Sequence, residues 1–237
     1  MNKFKYHNYS KIVTFVLFIL ITSTGFSQTV KDFETWSAIG IEYKLTKKWD
    51  FGLEEQLRLK NNSSEVDEYF TQLNINYEAF DNFEFGGGLR YIKVNDNQGN
   101  TQGYENHFRF HLDASYKHKI NNFSLKYRLR YQNKNELGVS NSNGDYANQH
   151  IRFKTSIGYN IKRWKLDPTF SAEIYNHFEE GKENGFDKYR LTVGTTYKMK
   201  KTGKFKLFYR VEKKINVVYP KTIDIIGFSY TYILKTN

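Results

Sequence analysis

Four residues bring together the side chains that hydrolytic or metal chemistry would use: His107, His111, Asp113 and Ser115. A serine hydrolase needs serine, histidine and an orienting polar group within hydrogen-bond reach. All four residues occupy odd positions of an alternating segment. Its even positions Phe108, Phe110, Leu112, Ala114 and Tyr116 are apolar or aromatic, while Glu105, Arg109 and Lys117 continue the polar set. Period-two alternation is the mark of a strand. Same-face neighbours on a strand stand roughly 6.6 Å apart, too far for a triad built on one strand. His107 and His111 would be about 13 Å apart, too far to share a metal ion. No Gly-x-Ser-x-Gly elbow is present. No catalytic residue, metal ligand or cofactor is therefore expected, and the chain does not read as an enzyme.

The same segment reads as half of a hairpin. After Asn121-Asn122, Phe123, Leu125, Tyr127, Leu129 and Tyr131 alternate with Ser124, Lys126, Arg128, Arg130 and Gln132. Asn tolerates the left-handed backbone of a tight hairpin turn. A two-residue turn pairs Ile120 with Phe123. It then sets Asp113 opposite Arg130, Ser115 opposite Arg128 and His111 opposite Gln132, with apolar residues matched on the other face. In Lys126-Tyr-Arg-Leu-Arg-Tyr131 the bases and the aromatics fall on opposite faces. Single-stranded nucleic acid needs both in one groove, so nucleic-acid binding is not expected. Gly86-Gly87-Gly88 is not followed by a helix and so is no phosphate loop; it reads as a strand bend or a close packing point.

The whole chain repeats this pattern. It has 237 residues, no Cys and two Pro, with 39% hydrophobic and 18% aromatic residues. Mean hydropathy is −0.71. Few apolar residues with many aromatics suit strands that face lipid on one side and a polar interior on the other. Without Cys, disulfides, thiolate metal sites and a lipidated N-terminal Cys are excluded. Lys3, Lys5 and Lys11 precede the apolar run Ile12 to Ile21, and Gly25 and Ser27 are small. Residues 1–27 are expected to be a cleaved secretory signal, since the apolar run falls short of the roughly 20 residues that span a bilayer. Residues 28–237 then form one domain. The formal charge of +11 falls to about +8 once the three leader lysines are removed.

Eleven alternating segments follow one another, beginning at Phe33, Trp49, Glu68, Phe83, Tyr104, Phe123, His150, Trp164, Phe186, Lys204 and Thr222. Short turns alternate with longer polar loops at 61–67, 95–103, 135–149 and 178–185. The expected fold is all-β: an antiparallel transmembrane up-and-down barrel with a polar lumen and short periplasmic turns, in the cell outer membrane. Bacterial barrels normally have an even strand number. Ten to twelve strands are expected, with ten or twelve favoured over eleven, or else residues 28–32 thread the lumen. Glu55 is a misfit among the apolar positions of its strand, and a bulge would turn it inward. Each short turn is bracketed by aromatics: Tyr43 and Trp49, Tyr77 and Phe83, Tyr116 and Phe123, Tyr159 and Trp164, Tyr197 and Phe205. These tyrosines recur every 34 to 43 positions. Such a ring fits a membrane–water boundary, where an apolar body with a polar tip is favoured. A soluble barrel has no reason to place one there.

The run Phe26-Ser27-Gln28, Trp36 in the first strand, Trp49 opening the second and Glu54-x-Gln56-x-Arg58 together resemble an uncharacterised family of Gram-negative outer-membrane β-barrels, known only as a domain of unknown function. The resemblance implies a barrel and a location, and no activity.

The inner face carries both charge signs. Asp113, Arg130, Arg128, Arg109, Glu105, Arg58 and Glu54 are expected to form a lumen charge network, because charges in a narrow lumen must be paired or wet. The first functional expectation is a structural or interaction barrel, monomeric, surrounded by outer-membrane lipid, with protein or surface partners meeting the four longer loops. The alternatives are a narrow anion-preferring solute channel and a lipid hydrolase using His111 and Ser115.

Overall fold

Eleven strands close on themselves in the computed structural model, which describes residues 30–97, 102–140, 142, 145–162, 165–199 and 202–235. They are β1 (Val30–Lys44), β2 (Trp49–Lys60), β3 (Glu65–Phe80), β4 (Phe83–Asp96), β5 (Gly103–Ile120), β6 (Phe123–Glu136), β7 (Asn148–Tyr159), β8 (Leu166–Phe178), β9 (Gly185–Met199), β10 (Gly203–Lys214) and β11 (Lys221–Lys235). No α-helix occurs among the described residues. The signal segment, residues 1–27, lies outside them.

Each strand pairs antiparallel with its sequence neighbours, and β1 closes the ring against β11 in parallel, from Val30 opposite Lys221 to Lys44 opposite Lys235. This corrects two expectations. The strand number is eleven, neither ten nor twelve, and the barrel is not antiparallel throughout. The physical reason is parity. In a meander with an odd number of strands the first and last run the same way, so only a parallel pair can seal them. Sealing removes two open edges, which outweighs the slightly weaker pairing of parallel strands. β1 is spent on the wall from Val30 onward, so no part of 30–32 threads the lumen.

The central hairpin keeps the register its two-residue turn sets: Ile120 faces Phe123, Asp113 faces Arg130, Ser115 faces Arg128 and His111 faces Gln132. Asn121 takes φ of 53°, the left-handed value that the turn requires. The loop expected at 61–67 shrinks to four residues, because β3 begins at Glu65. Asn61, Asn62 and Ser63 carry the reversal at φ of 54°, 55° and 61°, and a register shift at Arg58/Leu59 restores the inward–outward alternation. The other longer loops also shorten, since β4 to β9 extend by one or two residues into them.

The two faces are sorted opposite to a water-soluble globule. Ile39, Leu73, Phe85, Leu112, Phe153, Leu207 and Phe228 are exposed on the outer wall. Arg90, His111, Arg152, Glu173 and Glu212 are buried within. The buried apolar side chains include one cluster, Trp36, Phe208 and Ile225, on the inner wall beside the β1–β11 seam. Glu55 stays on the outer wall. No bulge turns it inward; it faces Thr71 across the β2–β3 pair and accepts a hydrogen bond from its Oγ1 at 2.6 Å.

Candidate functional site

Inward-facing positions on neighbouring strands fall side by side, so the register decides which charges meet. Asp113 on β5 faces Arg130 on β6, whose Nε and Nη2 donate to its two carboxylate oxygens at 2.6 Å each. This fork-to-fork geometry is the strong form of an ion pair. Arg58 on β2 donates to Glu68 on β3 at 2.5 Å, and Arg190 on β9 pairs with Glu212 on β10. Glu173 on β8 is the centre of a larger group. Its Oε1 accepts from Arg128 at 2.7 Å and from Arg152 at 2.9 Å, and its Oε2 accepts from the Tyr175 hydroxyl at 3.2 Å.

Aromatic side chains stand inside this charged wall. Trp36 has the Arg58 guanidinium 3.7 Å over its ring, with Arg210 at 4.9 Å and Arg190 at 5.5 Å. Its indole N–H donates to Glu34 at 2.8 Å. Tyr175 is flanked by Arg152 at 4.4 Å and Arg190 at 4.9 Å. Arg190 on β9 thus lies against aromatics on β1 and on the neighbouring β8 at once. Cation–π contacts gain strength where water is scarce.

A cavity of about 320 Å³ occupies the middle of the lumen. Eight arginines and four lysines line it, against three glutamates, Glu54, Glu68 and Glu173. The wall ion pairs therefore leave a large positive excess facing the space. Buried donors on Arg58, Arg90, Arg109 and Arg128 have no hydrogen-bond partner among the described residues. A buried donor without an acceptor is costly.

The residues expected in the charge network divide into three groups. Asp113, Arg130, Arg128 and Arg58 join ion pairs, two of them with Glu173 and Glu68 rather than with other members of the set. Glu105 bonds to the His107 ring at 3.1 Å, not to an arginine, because its cross-strand neighbours are Val94 and, beyond the β5–β6 pairing, loop residues. Glu54 and Arg109 make no ion pair among the described residues; Arg109 donates instead to Gln72 at 3.3 Å. Sequence reasoning missed Glu68, and it missed Phe70 and Tyr175 as inward aromatics. The available signal was an aromatic standing in the polar parity of its strand. The hydrolytic set is dispersed. His111 and Ser115 are buried, and both oxygens of Asp113 are held by Arg130. Among the described residues no three His, Cys, Asp or Glu side chains are grouped to hold a metal ion.

Gly88 explains how His111 fits. A Cβ at Gly88 would collide with the His111 ring and come within 2.7 Å of Asn74 Oδ1 and 2.8 Å of the Leu73 carbonyl. The glycine run is thus a close packing point.

The aromatic ring at the short turns forms ring pairs that join one hairpin to the next. Trp49 meets Tyr77 at 4.5 Å between centroids, Phe83 meets Tyr116 at 4.8 Å and Phe123 meets Tyr159 at 4.8 Å. Tyr43 faces Phe51, and Tyr197 faces Phe205 in register. Phe205 also packs on Tyr230 at 4.9 Å, a ring member from β11 that was not anticipated. Trp164 lies outside the described residues. At the opposite rim, buried Glu179 accepts from Asn148 at 2.7 Å and pairs with Lys182. Burial works to raise its carboxyl, but these donors prevail and hold it below the usual carboxylate range.

A closed β-barrel with apolar side chains outside and charged ones inside is the class of protein these features define. The chain belongs to the family described as Protein of unknown function (DUF2490), whose model matches residues 33–215. No curated protein and no solved structure was found to match it.

Proposed function

We propose that this chain is an outer-membrane β-barrel whose lumen passes or holds small anions. One observation carries this reading: twelve cationic side chains against three glutamates line the central cavity. Like-charged groups in a low-dielectric space attract counter-ions strongly. The membrane setting is supported by the exposed apolar wall and the aromatic ring pairs at the turns. It agrees with a secretory leader at 1–27, export to the outer membrane of a Gram-negative cell, and surrounding lipid. A purely structural or adhesive barrel, monomeric and meeting partners through its loops, draws support from the wall ion pairs. It leaves the surplus of cations unexplained. A hydrolytic role has no assembled triad behind it among the described residues.

The test is conductance of the purified barrel in a planar bilayer under a salt gradient. Discrete steps with a reversal potential of anionic sign are expected. Lys154 lines the cavity without an ion pair among the described residues, so Lys154→Gln should lower the anion-to-cation permeability ratio while leaving the fold intact. A silent bilayer with insertion proven by a heat-dependent gel shift, or a cation preference, would overturn the passage.

Glu55 offers a check on the membrane setting itself. A carboxylate on a lipid-facing wall is unfavourable, by less than the roughly 2–4 kcal/mol of a basic residue at mid-depth. Glu55→Leu is expected to raise stability in vesicles by about 1 kcal/mol, read from urea unfolding. If this wall met water instead, the substitution would leave stability unchanged and promote aggregation.

A further inference from the structure

Three cations stand side by side in the lumen, and the carboxylate nearest to all of them, Glu68, is bonded to a fourth, Arg58. Arg90 on β4 faces Arg109 on β5, and Arg109 faces Lys134 on β6. Directly opposed like charges destabilise a sheet. None of the three makes a salt bridge among the described residues, and the nearby Glu68 is engaged by Arg58 at 2.5 Å. The side-chain acceptor that the two arginines share is neutral: Gln72 Oε1 takes a hydrogen bond from Arg90 Nε at 2.6 Å and from Arg109 Nη2 at 3.3 Å. Arg90 is 6% exposed. Its guanidinium carbon lies 3.4 Å from the centre of the Phe70 ring. Even so, Arg90 Nη1 and Arg109 Nε are buried without a hydrogen-bond partner among the described residues. All three cations line the central cavity.

We propose that Arg90, Arg109 and Lys134 form a binding site for a phosphate group carried by a small solute. The inference rests on the lumen being open to solute, as in the proposed function, and adds the place and the ligand class. Opposed cations and orphaned donors are both relieved by one dianion. Two guanidinium forks and an ammonium supply more donors than a planar carboxylate can accept, whereas a tetrahedral phosphate has an oxygen for each. Gln72 and Phe70 hold the two arginines in place before the ligand arrives, which lowers the ordering cost of binding.

The test is calorimetric titration of the purified barrel, from the full chain, with inorganic phosphate, and in a second arm with glycerol phosphate. Acetate serves as the planar anion. One phosphate per barrel is expected, bound more tightly than acetate. Tighter binding of the ester would mark an organic phosphate as the natural ligand, and tighter binding of inorganic phosphate the free ion. Arg109→Gln and Lys134→Gln should each weaken binding about ten- to a hundredfold. Arg109→Lys should recover part of the loss, and Lys47→Gln, at an exposed turn, should bind as the parent does. A heat-dependent gel shift shows that each variant is folded. A parent that binds no phosphate, or equal binding in all variants, overturns the site. A barrel that conducts anions yet binds no phosphate sinks this site and leaves the passage standing. Phosphate binding with a silent bilayer sinks the passage and leaves the site in a chamber that solute enters from one end.

Discussion

Replacing Glu173 by Gln should cost about 3–5 kcal/mol of stability, the largest loss expected from any single change in the lumen. The substitution keeps the shape of the side chain and removes its charge. Glu173 is 6% exposed and accepts from Arg128, Arg152 and Tyr175. Without it Arg128 and Arg152 lose the carboxylate they share, and Arg152 is left opposite Arg130, whose own carboxylate partner is Asp113. Breaking a buried ion pair from one side is far worse than removing it whole, because the remaining charge stays desolvated. The double variant Glu173→Gln with Arg152→Met should therefore recover part of the loss. Urea unfolding in vesicles, followed by the heat-dependent gel shift, measures both. A loss below about 1 kcal/mol would be the signature of a well-hydrated pair. It would mean that water fills the lumen around Glu173.

The second large effect is expected at Gly88. Gly88→Val should destabilise by about 1–3 kcal/mol, the usual cost of overpacking. A Cβ there meets three neighbours at once: the His111 ring, Asn74 Oδ1 at 2.7 Å and the Leu73 carbonyl at 2.8 Å. A ring at the end of a side chain can swing away, but a backbone carbonyl in a paired strand cannot. His111→Ala should relieve only the first clash, so the double variant stays well below the parent. Gly87→Val is the control on the outer face, where the nearest atom to a Cβ is 3.5 Å away. Equal unfolding midpoints for the two valine variants would refute the packing account.

Much of this molecule follows from side-chain alternation and turn chemistry. Both are local properties, and each strand carries them without help from the rest of the chain. That is why the central hairpin register could be read from Asn121-Asn122 and two runs of alternating residues, and why Asp113 opposite Arg130 followed from it. The aromatic ring at the turns was legible for the same reason, since it repeats once per hairpin. Glu55 shows the limit. Its place in the outer parity is plain, yet only the structure shows that no bulge rescues it and that Thr71 answers it instead.

What the amino-acid sequence determined by itself was the number of alternating segments, the face each residue takes and the positions of the reversals, because period two and tight turns are set within a few residues. What only the tertiary structure decided was closure and company. Whether eleven strands would seal, and how, depends on the first and last strands meeting across the whole chain, which no local signal encodes. Parity then forces the parallel β1–β11 pair. The same long-range register sets Glu173 between Arg128 and Arg152, leaves Arg109 beside Arg90 and Lys134 with no ion pair among the described residues, and gathers a surplus of positive charge around one cavity.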